Sequence, residues 1–523
     1  MDSKQQKAMV NDLLQVDRYD LVPDQVELVQ THASWVFLAG DYVYKVKKPV
    51  DFGFLDFSSL DKRHFCCDEE LRLNRRLGGD YYIKVEEVVR RDGGYFFGGD
   101  GMVVDYAVVM RRLPEIFLMR NLLAQNKLED EQLDALVALL HSFYDKAEVF
   151  RDGRFGTREK VSFDVEENFS QTAVFVNDTI LARDFKQIVD FSREFLESQR
   201  KLFERRVKGG FIREGHGDLH MEQICLPPDG PPVVYDCIEF NQRFRRLDVV
   251  NDIAFLAMDL EVNNRFDYAC LFLDYCRKQL GSLFEPELLF FYKCYRAYVR
   301  GKVWSFISSD SGLDKSAREQ ARDRAGRYFK LATIYATPKP AGITLLAGIS
   351  GSGKSYLARA LENLWGVKVL RSDVIRKELL GLAGKNAAAP FGKGIYTRKM
   401  TLKTYRELAK QAASVIARGE AVIIDAANLK PEDRQVFYDV ARAAGVSVRL
   451  VVCRAPQSVI EKNLSLRAAA GDDASDADIA IARRQRFESP AGDELEAGSW
   501  IDIDTRQDLV EQLYYLVTHS RQP

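Results

Sequence analysis

The chain has 523 residues, of which 46% are hydrophobic and 29% charged, and its formal net charge is −2. That length exceeds what one core serves, so two or three domains are expected. The near-neutral balance excludes a chain built throughout to coat nucleic acid or an acidic membrane surface. The charge is uneven: from Ala341 onward 26 Lys+Arg stand against 22 Asp+Glu, which is +4 and leaves −6 for the rest. Eight cysteines, two of them adjacent at Cys66 and Cys67, show no metal-ligand spacing. Free thiols in a reducing compartment are expected, and a zinc site is not. The opening MDSKQQKAMVNDLLQ lacks a signal-peptide pattern and no apolar run reaches membrane-spanning length, so the expectation is a cytoplasmic protein without a membrane partner.

Taken in chain order, SWVFLAGDYVYKVKKPV reads as two strands joined at Gly40-Asp41. DEELRLNRRL has helical spacing, and YYIKVEEVVRRDGGYFF and GGDGMVVDYAVVMRRL read as further strands. From about Glu129 to Arg206 the pattern is mostly helical, and more helices follow residue 252. Two prolines and a glycine within 338–342 mark a short linker. Beyond it strands and helices alternate, which specifies a parallel sheet with helices on both faces.

Residues 216–223, HGDLHMEQ, place Asp218 in a turn with an amide, Gln223, five residues on; the apolar PPVVYD then ends in Asp236. Transfer of a phosphoryl group needs this layout. One carboxylate meets the acceptor hydroxyl, while an amide oxygen and a second carboxylate hold Mg²⁺ over the phosphates. Asp218 takes the first role and Gln223 and Asp236 the second; His216 braces the loop, and His220 is a weaker candidate. The stretch resembles the aminoglycoside phosphotransferase (APH)-like kinases, a group that includes choline, homoserine and fructosamine kinases. VVYDCIEFNQRFRRLDVVNDIAFLAMDL carries the resemblance through the strand-end Asp and the helix opening Asp252-Ile253-Ala254. It implies that Lys45 touches the α- and β-phosphates, that Glu70 pairs with it, and that adenine lies near Met110–Leu113. Strand alternation puts Lys45 and Lys47 on one face, so the choice between them stays open. Gln223 departs from the Asn usual in such loops; its longer stem strains the strict octahedral geometry of Mg²⁺. The DFG at Asp51–Gly53 precedes the catalytic loop and cannot be a metal-binding DFG motif.

Residues 348–355, GISGSGKS, match the phosphate-loop pattern between an apolar strand and a helix. Glycines let successive N–H groups face one anion, and the helix N-terminus adds partial positive charge. Gly348, Ser350, Gly351, Ser352, Gly353, Lys354, Ser355 and Tyr356 are the candidate nucleotide contacts. Lys354 reaches the β- and γ-phosphates, and Ser355 with Asp425 of AVIID holds Mg²⁺. Asp373, in VLRSDVIRK, is a candidate base for the acceptor hydroxyl and also a candidate helix N-cap, roles that do not exclude each other, and Arg376 is a candidate for an anionic substrate group. The segment 341–505 resembles the small P-loop kinases, the group of polynucleotide 5′-kinase, zeta toxins and gluconate-kinase-like enzymes. In that likeness NLSLRAAAGDDASDADIAIARRQ is an Arg-bearing lid; Arg467 contacts transferred phosphate, with Arg483 and Arg484 as lesser candidates and a solvated basic face as the alternative.

The expected fold is α/β and α+β in two domains. An N-terminal protein-kinase-like (APH-like) bilobal domain occupies 1–335, with a small lobe at about 1–113 and a helical large lobe at about 114–335. Residues 336–342 form the linker, and a P-loop NTPase domain with a doubly wound parallel sheet fills 343–523. The order resembles a bacterial fusion of an APH-like kinase with a P-loop kinase. The implied function is ATP- and Mg²⁺-dependent transfer of the γ-phosphoryl group to hydroxyl acceptors at two sites. The N-terminal acceptor is a small molecule; the C-terminal one is a small molecule, a nucleotide or a nucleic-acid end. Two other readings stay open. In one only the P-loop domain is catalytic and the first domain binds substrate or regulates; in the other the chain is an ATP-hydrolysing switch with a protein partner.

Overall fold

The computed structural model describes residues 2–381, 397–470, 479–490, 494 and 498–519. The chain divides into two compact units, Met1–Val174 with Ser192–Lys302, and Phe175–Phe191 with Val303–Pro523. This differs from a boundary at 336–342. Helix Lys315–Tyr335 belongs to the second unit, where Arg327 pairs with Asp508 at 2.7 Å and Lys330 with Glu511 at 2.7 Å. Pro338 and Pro340 therefore punctuate a helix-to-strand connection inside that unit.

The first unit opens with a six-stranded antiparallel sheet: β1 (Val26–Gln30), β2 (Ser34–Ala39), β3 (Tyr42–Lys47), β4 (Tyr82–Arg91), β5 (Gly94–Phe97) and β6 (Met102–Arg111), in the order β1-β2-β3-β6-β4-β5. Alternation along β3 sends Tyr44 and Val46 to one face, where they pack with Met9, Leu13, Phe37 and Phe97. Lys45 and Lys47 point to the other face, toward helix Leu60–Gly78.

The rest of this unit is helical, with short strands that fix loops: β7 (Val149–Phe150), β8 (Ile212–Glu214), β9 (Ile224–Cys225), β10 (Val233–Val234) and β11 (Arg246–Asp248). β8 lies between β11 and β7, and β9 pairs with β10. Loop 216–223 is thus suspended between two small sheets, and Asp236 lies two residues beyond β10. Helix Val249–Val262 is buried along its whole length. That explains its nearly continuous apolar sequence and makes it a rigid post beneath the loop.

The second unit contains a five-stranded parallel sheet of β12 (Ile343–Ala347), β13 (Lys368–Arg371), β14 (Val422–Asp425), β15 (Val448–Arg454) and β16 (Gly498–Asp504), in the order β13-β14-β12-β15-β16. β12 and β14 are fully buried, as strands covered on both faces must be. The protein is thus a two-part α/β chain. All eight cysteines are free thiols. Among the described residues no helix is long and apolar enough to cross a membrane, and no group of three or more His, Cys, Asp or Glu is placed to hold a metal ion.

Candidate functional site

In the second unit the loop from Gly348 to Ser355 leaves the carboxyl end of the central strand β12 and enters helix Lys354–Trp365. Ligands of open α/β sheets sit at that edge. Gly348 has φ +137°, and a Cβ there would lie 2.5 Å from the Cys453 carbonyl oxygen, so no other residue fits. Gly353, at φ +88°, starts the helix. Lys354 is 9% exposed and its Nζ donates to the Ile349 carbonyl at 2.8 Å. Burial draws its pKa below the ordinary value, against the pull of Asp425 and Asp373. The Ser355 hydroxyl donates to Asp425, whose carboxyl is pushed up by burial. Among the described residues the buried Ser352 hydroxyl has no hydrogen-bond partner, the kind of orphaned donor an incoming anion satisfies.

Asp425 ends β14, and in register beside it Arg371 ends β13, with Nε 3.6 Å from Asp425 Oδ2. Helix Ser372–Leu379 has Arg371 at its N-cap, so Asp373 stands in the first turn and is not the cap. Arg376 is 7% exposed and donates from Nη1 to Asp373 at 2.9 Å. Arg467 lies close enough for its charge to act on Lys354, whereas Arg483 pairs with Glu461 at 2.8 Å, and Arg484 and Tyr356 are exposed. Residues 471–478 of the expected lid lie outside the described residues. One group was missed from sequence: Gln485 Oε1 accepts the Ser350 N–H at 2.7 Å. A lone Gln beyond an Arg pair carries no signal for that contact.

In the first unit Lys45 Nζ donates to Glu70 Oε1 at 2.9 Å and to Asp236 Oδ1 at 2.6 Å. Lys47 Nζ donates to Glu70 Oε2 at 2.7 Å and to Glu239. The lysine side chains are 17% and 1% exposed respectively, so Lys45 is the one open to a ligand. Burial opposes the ionisation of both lysines, yet the surrounding carboxylates prevail and hold both well above the ordinary range. Asp236 takes φ +62°, a backbone conformation uncommon outside glycine and concentrated at functional sites. Gln223 Nε2 donates to Asp236 Oδ2 at 3.2 Å.

Asp218 is partly exposed, and its backbone N–H donates to His216 Nδ1 at 3.2 Å. His216 Nε2 lies 2.9 Å from the Tyr235 carbonyl oxygen, so this ring ties the loop to the strand before Asp236. Asp252, at the start of the buried helix, accepts the N–H groups of His216 at 2.7 Å and Gly217 at 2.9 Å. Asp259, two turns on, accepts that of Met221 at 3.0 Å. Asp218, Gln223 and Asp236 are therefore carried on one loop system docked to one helix. Sequence reasoning missed Glu239 and Asp259; the available cue was acidic residues inside otherwise apolar runs.

The AAA domain family matches residues 343–489, so that stretch is a P-loop domain of that type. The chain belongs to the family of protein Rv2004c of Mycobacterium tuberculosis. The two are 30% identical over 467 residues, which span 88% of this chain and 90% of the relative. Mb2027c of Mycobacterium bovis matches equally. Among solved structures, a gluconokinase from Sinorhizobium meliloti is 20% identical, covering 35% of this chain and 91% of that one with a TM-score of 0.25. The Mycobacterium tuberculosis APS kinase CysC is 22% identical, covering 34% of this chain and 97% of that one with a TM-score of 0.24.

Proposed function

We propose that the chain is an ATP-dependent phosphotransferase with two nucleotide sites, each moving the γ-phosphoryl group to a hydroxyl. The observation that carries the reading is Lys354, held in the glycine loop by the Ile349 carbonyl, with two acids acting on its charge: Asp425 at the end of β14 and Asp373 in the first turn of helix Ser372–Leu379. The loop's N–H groups and Lys354 grip the phosphates, Asp373 takes the acceptor proton, and Arg467 and Arg376 balance charge on the transferred group and the substrate. The C-terminal acceptor is a small molecule, a nucleotide or a nucleic-acid end.

In this reading the first unit is an APH-like bilobal kinase domain acting on a small molecule. Lys45, fixed by Glu70, receives the α- and β-phosphates, and Asp218 orients the acceptor hydroxyl. Both sites offer the oxygen donors that Mg²⁺ requires: Ser355 with Asp425, and Asp236 with Gln223. Magnesium held by these residues would neutralise charge that develops on the transferred phosphoryl group. Gln223 turns its NH₂ toward Asp236; half a rotation of the amide presents its oxygen instead. The longer stem of Gln223, where such loops usually have Asn, favours a second reading, in which the first unit binds nucleotide or substrate and only the P-loop unit turns over.

The test uses labelled ATP with pools of small alcohols, nucleotides, and RNA and DNA ends, comparing the natural chain with Asp218→Ala and Lys354→Ala. Two sites predict that each variant removes transfer to a different acceptor. Loss with Lys354→Ala alone selects the second reading, and transfer unaffected by either change overturns both.

A further inference from the structure

Lys45 and Lys47 stand on one face of β3, and helix Leu60–Gly78 brings a single carboxylate to both. Glu70 is fully buried, with Oε1 accepting from Lys45 at 2.9 Å and Oε2 from Lys47 at 2.7 Å. Each lysine holds a second acid, Asp236 for Lys45 and Glu239 for Lys47. The chain Asp236–Lys45–Glu70–Lys47–Glu239 closes on itself, because its two ends are three residues apart in sequence. Lys47, at 1% exposure, is walled off from any ligand.

We infer that Lys47 and Glu239 are positioning residues: Lys47 locks Glu70 and, through Glu239, fastens the Asp236 segment to the lysine strand, so that the site stands assembled before nucleotide arrives. The inference rests on the kinase-like reading of the first unit. The circuit holds two cations against three anions. Lys45 uses two of its three N–H donors on these acids, so a phosphate can take the third, and its charge then repels whichever acid is held less firmly. Glu70 stays, because Lys47 keeps its other oxygen. Asp236 is the acid released; its side chain is 40% exposed while that of Glu70 is 0% exposed. The displaced carboxylate is the surplus anion of the circuit, free to take a divalent cation. Lys47 holds Glu70, and with it helix Leu60–Gly78, whichever way Lys45 turns.

The experiment uses the full chain in a Lys354→Ala background, which silences the second site. A fluorescent ATP analogue is titrated with and without MgCl₂, and melting is followed in parallel. Lys47→Met and Glu239→Gln are each expected to weaken Mg-nucleotide binding about tenfold or more and to raise the Mg²⁺ concentration for half-saturation, as loss of groups that orient metal ligands does. Lys47→Arg is expected to restore most of the affinity. A purely structural pair would lower the melting temperature and leave nucleotide and Mg²⁺ affinity unchanged, which overturns the inference. Should Lys47→Met fail to fold, the isosteric Glu239→Gln carries the test. Lys45→Ala separates the levels. If it leaves binding intact, the kinase-like reading fails and takes the inference with it. If it abolishes binding while Lys47→Met and Glu239→Gln do not weaken it, only the inference fails.

Discussion

His220 Nε2 lies 3.3 Å from Asp218 Oδ2, and His220 Nδ1 accepts the Glu222 N–H at 3.3 Å. The second bond leaves the proton on Nε2, facing the carboxylate. The ring is 3% exposed, so it directs one oxygen of the partly exposed Asp218 from the buried side. The two residues come from the same tight turn, whose backbone is pinned by Asp252.

The His220–Asp218 contact makes stability depend on pH with a definite sign. Burial depresses the His220 pKa and the Asp218 carboxylate more than offsets it, so the folded value lies above 6.5. The folded imidazole therefore takes up its second ring proton more readily than the unfolded one. Its contribution is complete below about pH 6.5 and is lost as pH rises through the folded value. His220→Gln keeps a donor but cannot be charged. The melting difference between the natural chain and His220→Gln should be largest near pH 6 and shrink by pH 9; a constant difference would remove the charge from the account.

Asp252 satisfies two buried N–H groups of the loop and accepts from the Tyr144 hydroxyl at 3.2 Å. Asp252→Ala orphans all three and should cost about 3 kcal/mol in denaturant unfolding. A Cβ on Gly215 would lie 2.5 Å from Asp252 Oδ2, so Gly215→Ala is expected to displace that carboxylate and lower stability similarly. A neutral Gly215→Ala would mean that the helix moves to make room.

Gln485 occupies an N–H of the phosphate loop that faces the incoming anion. Removing this internal competitor should tighten binding, as removing any unproductive conformer does. In a Lys45→Ala background, calorimetry with ADP should give a dissociation constant about threefold lower for Gln485→Ala. A weaker constant would instead make Gln485 a nucleotide contact.

Arg434 is fully buried and grips Glu494 at 2.6 and 2.8 Å, while its third nitrogen donates to the Asn428 carbonyl at 3.0 Å. Asn428 follows Asp425 in the turn with φ +47°. Arg434→Met strands a buried carboxylate and should destabilise the second unit by about 3–5 kcal/mol. Glu494→Gln, which keeps an acceptor, should cost less. Differential scanning calorimetry of both variants distinguishes the two.

The sequence by itself determined the phosphate loop, because every part of it is contiguous: an apolar strand, glycines where only glycine fits, a lysine and a serine at the helix start. It also determined that β3 carries two lysines on one face, since strand alternation is local. Only the tertiary structure separated them. Burial at 1% against 17%, and the acids that close the circuit, come from segments about 25 and 190 residues away, and no local period encodes such distances. The division near 302 was equally invisible, because helix Lys315–Tyr335 reads as an ordinary solvated helix until its partners at 508 and 511 are folded against it. Glycine geometry and strand alternation are properties of neighbouring residues; partner choice and exposure are properties of packing.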